Sequence, residues 1–238
     1  MKRKVEIVLQ HGWAFDSSCW RGWMPHLREN PDYEISIQTP DRGYFGQAAD
    51  IMPFSEAGSV KIVVAHSLGL HFLPDSVLKT TNLLILAAAF ADFHSGTVLE
   101  QKRSRRTINL MSSRLEETPL DVLNEFYSNC YHPLLTSHLL LMRNLENLNQ
   151  EQLENDLHLL NTARFDLSRL KQPEQVLFLH GSEDRIVAPS QSHEMHQSVE
   201  GSSLILFEGA GHSLPLTHVA PVWISLRNTI RHLLTVNA

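Results

Sequence analysis

Three residues far apart in the chain, Ser67, Asp184 and His212, are of the types that cleave an acyl bond by nucleophilic attack. A serine hydroxyl is a poor nucleophile until a base takes its proton. Histidine can do so near neutral pH, and a carboxylate fixes the imidazole tautomer and stabilises its charged form. Each of the three follows an apolar run: "VKIVVAHSLG" holds Ser67, "VLFLHGSED" holds Asp184 and "LILFEGAGH" holds His212. Residues 65 to 69, Ala-His-Ser-Leu-Gly, have the form of a nucleophile elbow, in which serine sits on a sharp strand-to-helix turn between small residues. Gly69 is the second small residue, and Ala65 stands where the first glycine is usual. Alanine is small enough to keep the bend. Glu183 is an alternative acid beside Asp184.

Serine, then acid, then histidine is the chain order of the α/β-hydrolase arrangement. That chemistry also needs two backbone N–H groups aimed at the developing oxyanion, one from the residue after the nucleophile and one from the loop after the first strand. Leu68 supplies the former, and "QHGWAF" supplies the latter, with His11 and Gly12 making the turn and Trp13 donating. His66 either lines the site or serves the end of its strand. "HEMH", with His193 and His196 at i, i+3, lacks the H-E-x-x-H spacing and reads as a solvated face rather than a metal site. Cys19 and Cys130 have no base nearby in sequence, and Tyr44 and Phe45 read as rim or turn.

The elements that must position these groups alternate. Apolar runs at 4–9, 33–38, 60–65, 82–88, 175–180 and 203–208 read as strands covered on both faces, which belong to a parallel sheet. Segments 17–30 and 190–200 suit crossover helices, so the order predicts a doubly wound α/β fold in one domain. The fourth and fifth strands are separated by a long stretch in which Leu141, Leu145 and Leu148, then Leu153, Leu157 and Leu160, repeat at i, i+4, i+7. This predicts a helical cap inserted at about 93–168, a lid over the carboxyl edge of the sheet where ligands bind. Only about a dozen residues, with Pro53 and Gly58, separate "DRGYFG" from the nucleophile strand, so the usual crossover helix is short or replaced by irregular chain. Pro74, seven residues past Ser67, should shorten or kink the following helix.

Composition narrows the classes further. A net charge of −6 with mostly scattered basic residues argues against a nucleic-acid surface. Two cysteines give no disulfide framework and fit a reducing, cytoplasmic setting. The longest apolar run, 83–91, is about half of the ~20 residues that a membrane-spanning helix needs, so no membrane is expected as partner. The expected partner is a small acyl ester. All the chemical roles fall to protein groups, so neither a metal nor another cofactor is called for.

"LQHGWAFDSSCW", "AHSLG", "GSEDRIVAP" and "GAGHSLPLTHVAP", with "PLDVLNEFYSNC" and "LHLLNTARFDLSRL" in the cap, resemble the α/β-hydrolases that act as pimeloyl-[acyl-carrier protein] methyl ester esterases in biotin synthesis. The resemblance runs over nearly the whole chain, and its strongest motifs are shared by many serine esterases. It implies Ser67, Asp184 and His212 as the triad, Trp13 and Leu68 at the oxyanion, and Phe126, Tyr127, Ser128, Asn129 and Cys130 as a wall of the acyl pocket. It also implies an acidic carrier protein presenting the substrate. The cap helix around Phe126 carries Glu116, Glu117, Asp121 and Glu125, which would repel such a partner. Lys102, Arg103, Arg105 and Arg106 could dock it, or could form an ordinary solvated run. The alternatives are a general short-chain carboxylesterase or other small-metabolite hydrolase, and a ligand receptor that retains the triad.

Overall fold

The computed structural model describes residues 2–28, 33–55, 57–134 and 145–236. All six expected strands form: β1 (Arg3–Gln10), β2 (Tyr33–Gln38), β3 (Val60–His66), β4 (Leu83–Ala87), β5 (Gln175–Gly181) and β6 (Ser203–Phe207). They make one wholly parallel sheet in the order β2-β1-β3-β4-β5-β6. Central β4 is buried at every position, whereas edge β2 alternates between exposed and half-buried residues. Successive side chains of a strand point to opposite faces. Ile62, Val64 and Ile85 accordingly join one core cluster, and Val63, Ala65, Leu84 and Leu86 join another.

Helices cover both faces. Asp16 caps a 3-10 segment, Ser17–Trp23, that runs into the short α1 (Met24–Arg28), so the first crossover is a 3-10 segment joined to a short α-helix rather than the single helix the sequence suggests. Trp20 and Trp23 meet edge to face there, and the Trp23 indole donates to the Pro215 carbonyl. No described helix lies between β2 and β3. That stretch folds back on itself through an antiparallel bridge between Asp41 and Ala49. After β3 the chain makes a 3-10 turn, Ser67–Phe72, and only then α2 (Asp75–Leu78). The cause is Pro74. Leu73 before it is driven to extended backbone, ψ 122°, which ends the turn before it can lengthen.

Between β4 and β5 lie α3 (Val98–Leu115), opened by a full capping box of Thr97 and Glu100, α4 (Pro119–Tyr131) and α5 (Gln150–Thr162). The ends of this insertion close on each other where Asp92 bridges Arg164, with their side chains paired at 2.7 Å. The leucine pattern holds in α5, which buries Leu153, Leu157 and Leu160. It fails before α5: Leu145 sits in a short 3-10 turn and Leu148 in the connection, while Leu141 lies outside the described residues. The chain ends in α6 (Pro189–Ser198), α7 (Leu214–Thr217) and α8 (Val219–Val236). Among the described residues no helix is long and apolar enough to cross a membrane.

Candidate active site

The end of β3 turns through Ser67, whose φ of +55° lies in the left-handed region that side-chain-bearing residues rarely adopt. Backbone contact holds it there. A Cβ placed on Gly12 would stand 2.8 Å from Ser67 Cβ and 2.9 Å from the His66 carbonyl oxygen. One on Gly69 would stand 2.8 Å from both the Gln10 and His11 carbonyl oxygens. The loop after β1 and the turn after β3 thus interlock through two glycines, and the Gly12 position comes within 3.4 Å of the Leu68 nitrogen. This brings the start of the Trp13 loop beside the Leu68 amide.

His212, fully buried, reaches the turn from the loop after β6. Its Nε2 is 3.0 Å from Ser67 Oγ and its Nδ1 is 2.8 Å from Asp184 Oδ2. The carboxylate can only accept, so Nδ1 carries the proton and the Nε2 lone pair faces the serine hydroxyl. Asp184 Oδ1 accepts from the backbone N–H groups of Ile186 and Val187 at 2.8 and 2.9 Å. Burial alone would raise the Asp184 pKa, but the attraction of His212 and the N–H groups of His180 and His212 outweigh it and hold the carboxyl well below its usual range. Glu183 points elsewhere: its carboxylate is half exposed and 3.9 Å from His132 Nε2.

Two further imidazoles are buried against this chain of hydrogen bonds. His66 lies behind His212 rather than in the pocket, with Nε2 donating to the His212 carbonyl at 3.0 Å. Burial, reinforced by the neighbouring His212, pushes its pKa down to about 3, so it is neutral at ordinary pH. His180 ends β5. Its Nε2 donates to the Val187 carbonyl at 3.0 Å and lies 3.1 Å from Asp184 Oδ2, while its Nδ1 is 2.6 Å from Ser192 Oγ. Sequence reasoning missed His180, taking it as the last residue of a strand. The available signal was that β3 and β5 each close an apolar run on a histidine.

Above Ser67 lies a cavity of about 280 Å³ roofed by the insertion. Three helices contribute matched faces: Ser104, Thr107, Ile108 and Met111 of α3; Val122, Glu125, Phe126 and Asn129 of α4; Leu157 and Leu160 of α5. Trp13, Phe93, Arg185 and Ile186 complete the wall. Of the pocket residues expected from sequence, Trp13, Phe126 and Asn129 line it. Tyr127 is buried and donates to the Ala14 carbonyl, Cys130 is buried, and Ser128 is exposed on the far side of α4. Cys19 is buried among the tryptophans. Lys102, Arg103 and Arg106 are exposed on α3, whereas Arg105 turns inward toward the Asn161 carbonyl. His193 and His196 are occupied by Gln197 and Ser202, and the described residues hold no group of three metal-ligating side chains.

The insertion is pinned to the sheet by polar contacts that the sequence did not reveal. Arg42 grips Asp156 of α5 through both carboxylate oxygens at 2.8 and 2.7 Å, and Tyr44 donates to the same carboxylate at 2.6 Å. The Arg42 guanidinium also lies 4.2 Å over the Phe72 ring, at the end of the turn that begins at Ser67. Trp13 donates its indole N–H to the Leu153 carbonyl at 2.8 Å and meets Phe126 edge to face. Tyr44, read as rim or turn, is thus a buried anchor.

The chain is similar in fold to solved α/β-hydrolase structures. A bromoperoxidase from Bacillus anthracis matches with a TM-score of 0.75 at 17% identity, covering 97% of this chain and 93% of that one. An esterase from Exiguobacterium antarcticum matches with a TM-score of 0.77 at 14% identity and the same coverage. A hydrolase from Oleispira antarctica gives 0.73 at 13% identity, covering 95% of this chain and 91% of that one. These likenesses, with the parallel six-stranded sheet, give the class: an α/β-hydrolase fold. No protein-family model and no curated protein matches the sequence.

Proposed function

We propose that this protein is a serine carboxylic ester hydrolase with Ser67, His212 and Asp184 as its triad. The observation that carries the reading is the continuous hydrogen-bonded chain from Asp184 through His212 to Ser67, opening onto a largely apolar cavity. Ser67 Oγ attacks the ester carbonyl as His212 Nε2 takes its proton. The Trp13 and Leu68 amides hold the resulting oxyanion, and His212 returns the proton to the departing alkoxide, releasing an alcohol. Water, deprotonated by the same nitrogen, then attacks the acyl-serine and frees the carboxylate. His66 and His180 keep the base and the acid in register.

The finer reading is a methyl ester of a pimeloyl chain carried on an acidic carrier protein. Three things support it: the resemblance of the cap segments, the apolar faces around the cavity, and the exposed Lys102, Arg103 and Arg106 beside it. The test is kcat/KM for methyl pimeloyl-carrier protein beside a free methyl ester of equal acyl length, with Ser67→Ala as control. Ser67→Ala should lower kcat on the order of a million-fold with the fold intact. Near-normal rates would remove Ser67 as nucleophile. Equal rates on the two substrates would leave a general carboxylesterase.

A further inference from the structure

The ionisable groups lining the cavity do not balance. Glu125 is held by Arg114 through two hydrogen bonds of 2.9 Å, so its charge is already matched. Asp184 is committed to His212 and to backbone amides. Arg185 lines the same cavity as Ser67, and among the described residues no carboxylate pairs with it.

Its placement is fixed as well as its charge. Arg185 lies between Asp184 and the Ile186 and Val187 amides that donate to Asp184 Oδ1, so its backbone cannot move without disturbing that carboxylate. Arg185 is exposed and shares the cavity lining with Glu125 and Asn129 of α4. A planar guanidinium offers paired donors that match a carboxylate, and beside an apolar wall this attraction is screened less than in open water.

Resting on the esterase reading but not on the carrier-borne methyl ester, which has no free carboxylate and is the competing substrate, we propose that Arg185 forms an anion subsite, and that the preferred ester carries a carboxylate within reach of the bond being cleaved. The carboxylate can belong to the acyl chain, as in a half-ester of a short dicarboxylic acid, or to the alcohol, as in a glycolate ester. In both cases Arg185 pairs with the anion while the apolar wall takes the hydrocarbon. Binding then sets the carbonyl over Ser67, and the chemical steps are those given above.

Two substrate pairs separate the sources: methyl hydrogen glutarate beside methyl hexanoate, and butyryl glycolate beside isobutyl butyrate. The charged member of at least one pair should have a kcat/KM about tenfold higher than its neutral partner, and Arg185→Gln should erase that ratio. Arg185→Glu should invert it. Equal ratios in wild type and Arg185→Gln would overturn the subsite while leaving the esterase standing. Binding of free glutarate to Ser67→Ala, followed by calorimetry, gives a readout that needs no turnover. Affinity lost in the Ser67→Ala, Arg185→Gln double variant supports the subsite even if no ester is cleaved, an outcome that would sink the esterase reading alone. Undiminished or undetectable glutarate binding would count against the subsite.

Discussion

The Ser67 turn and the helical insertion border the same cavity and are held by different physics. Around Ser67 the constraint is steric and backbone-deep: two glycines leave no room for a methyl group, and a left-handed serine is fixed between them. Around α5 the constraint is a few polar side chains, Arg42 and Tyr44 on Asp156 and Trp13 on Leu153. A sterically locked turn permits almost no displacement of the reacting atom. A roof held by side-chain hydrogen bonds can keep its place while the residues lining it change. On the proposed reading, the first half fixes the reacting atom and the second leaves room for selectivity to change.

The sharpest way to break that contrast is Gly12→Ala. The new methyl would collide with Ser67 Cβ and the His66 carbonyl, which must shift the turn or the Trp13 loop. A displacement of about 1 Å costs on the order of a hundredfold in rate. We expect kcat to fall by about that much or more, with KM changed far less. A variant that keeps kcat and loses only KM would show that the turn is no more rigid than the roof.

The same contrast explains what could be read in advance. That Ser67, Asp184 and His212 would come together could be read because each sits within a few residues of a strand end and a glycine, where local sequence dictates local backbone. The six strands were legible as apolar runs. The short turn after Ser67 was foreshadowed by Pro74, whose effect on its neighbour is also local. The Arg42–Asp156–Tyr44 anchor joins residues more than a hundred positions apart, and neither its spacing nor its composition marks it. The run from Phe126 to Cys130 was taken as a continuous wall, but a helix presents only residues three or four apart on one face. Phe126 and Asn129 face the cavity, Ser128 faces solvent, and the remaining lining comes from α3 and α5 at helical spacing.

Asp156→Asn probes the other half. It leaves a hydrogen-bonding side chain of the same shape but removes the charge opposite Arg42. Losing one partner of a buried pair costs about 3–5 kcal/mol, and because Arg42 is about one-third exposed we expect a smaller loss, about 2 kcal/mol, in urea unfolding. In kinetics the change should fall mainly on KM and on the ranking of acyl chain lengths, with kcat on the best substrate nearly kept. A kcat loss as large as that of Gly12→Ala would mean that the roof, too, sets the position of Ser67.

The last effect concerns protons. His66 is buried neutral, its pKa pushed from 6.5 down to about 3, whereas in the unfolded chain it takes up a proton near its ordinary value. The unfolded state therefore binds more protons in that interval. Stability from this group is fully present above about pH 6.5 and is lost as the pH falls toward about 3, with a slope of up to about 1.4 kcal/mol per pH unit. His71, lowered by burial to about 4, adds to the same trend. Urea unfolding of wild type and His66→Gln between about pH 7 and about pH 5 should give curves that converge toward acid, because glutamine does not titrate. Parallel curves for His66→Gln would mean that the imidazole behind His212 is already charged in the folded protein, and that the tight half of the site is wetter than its packing implies.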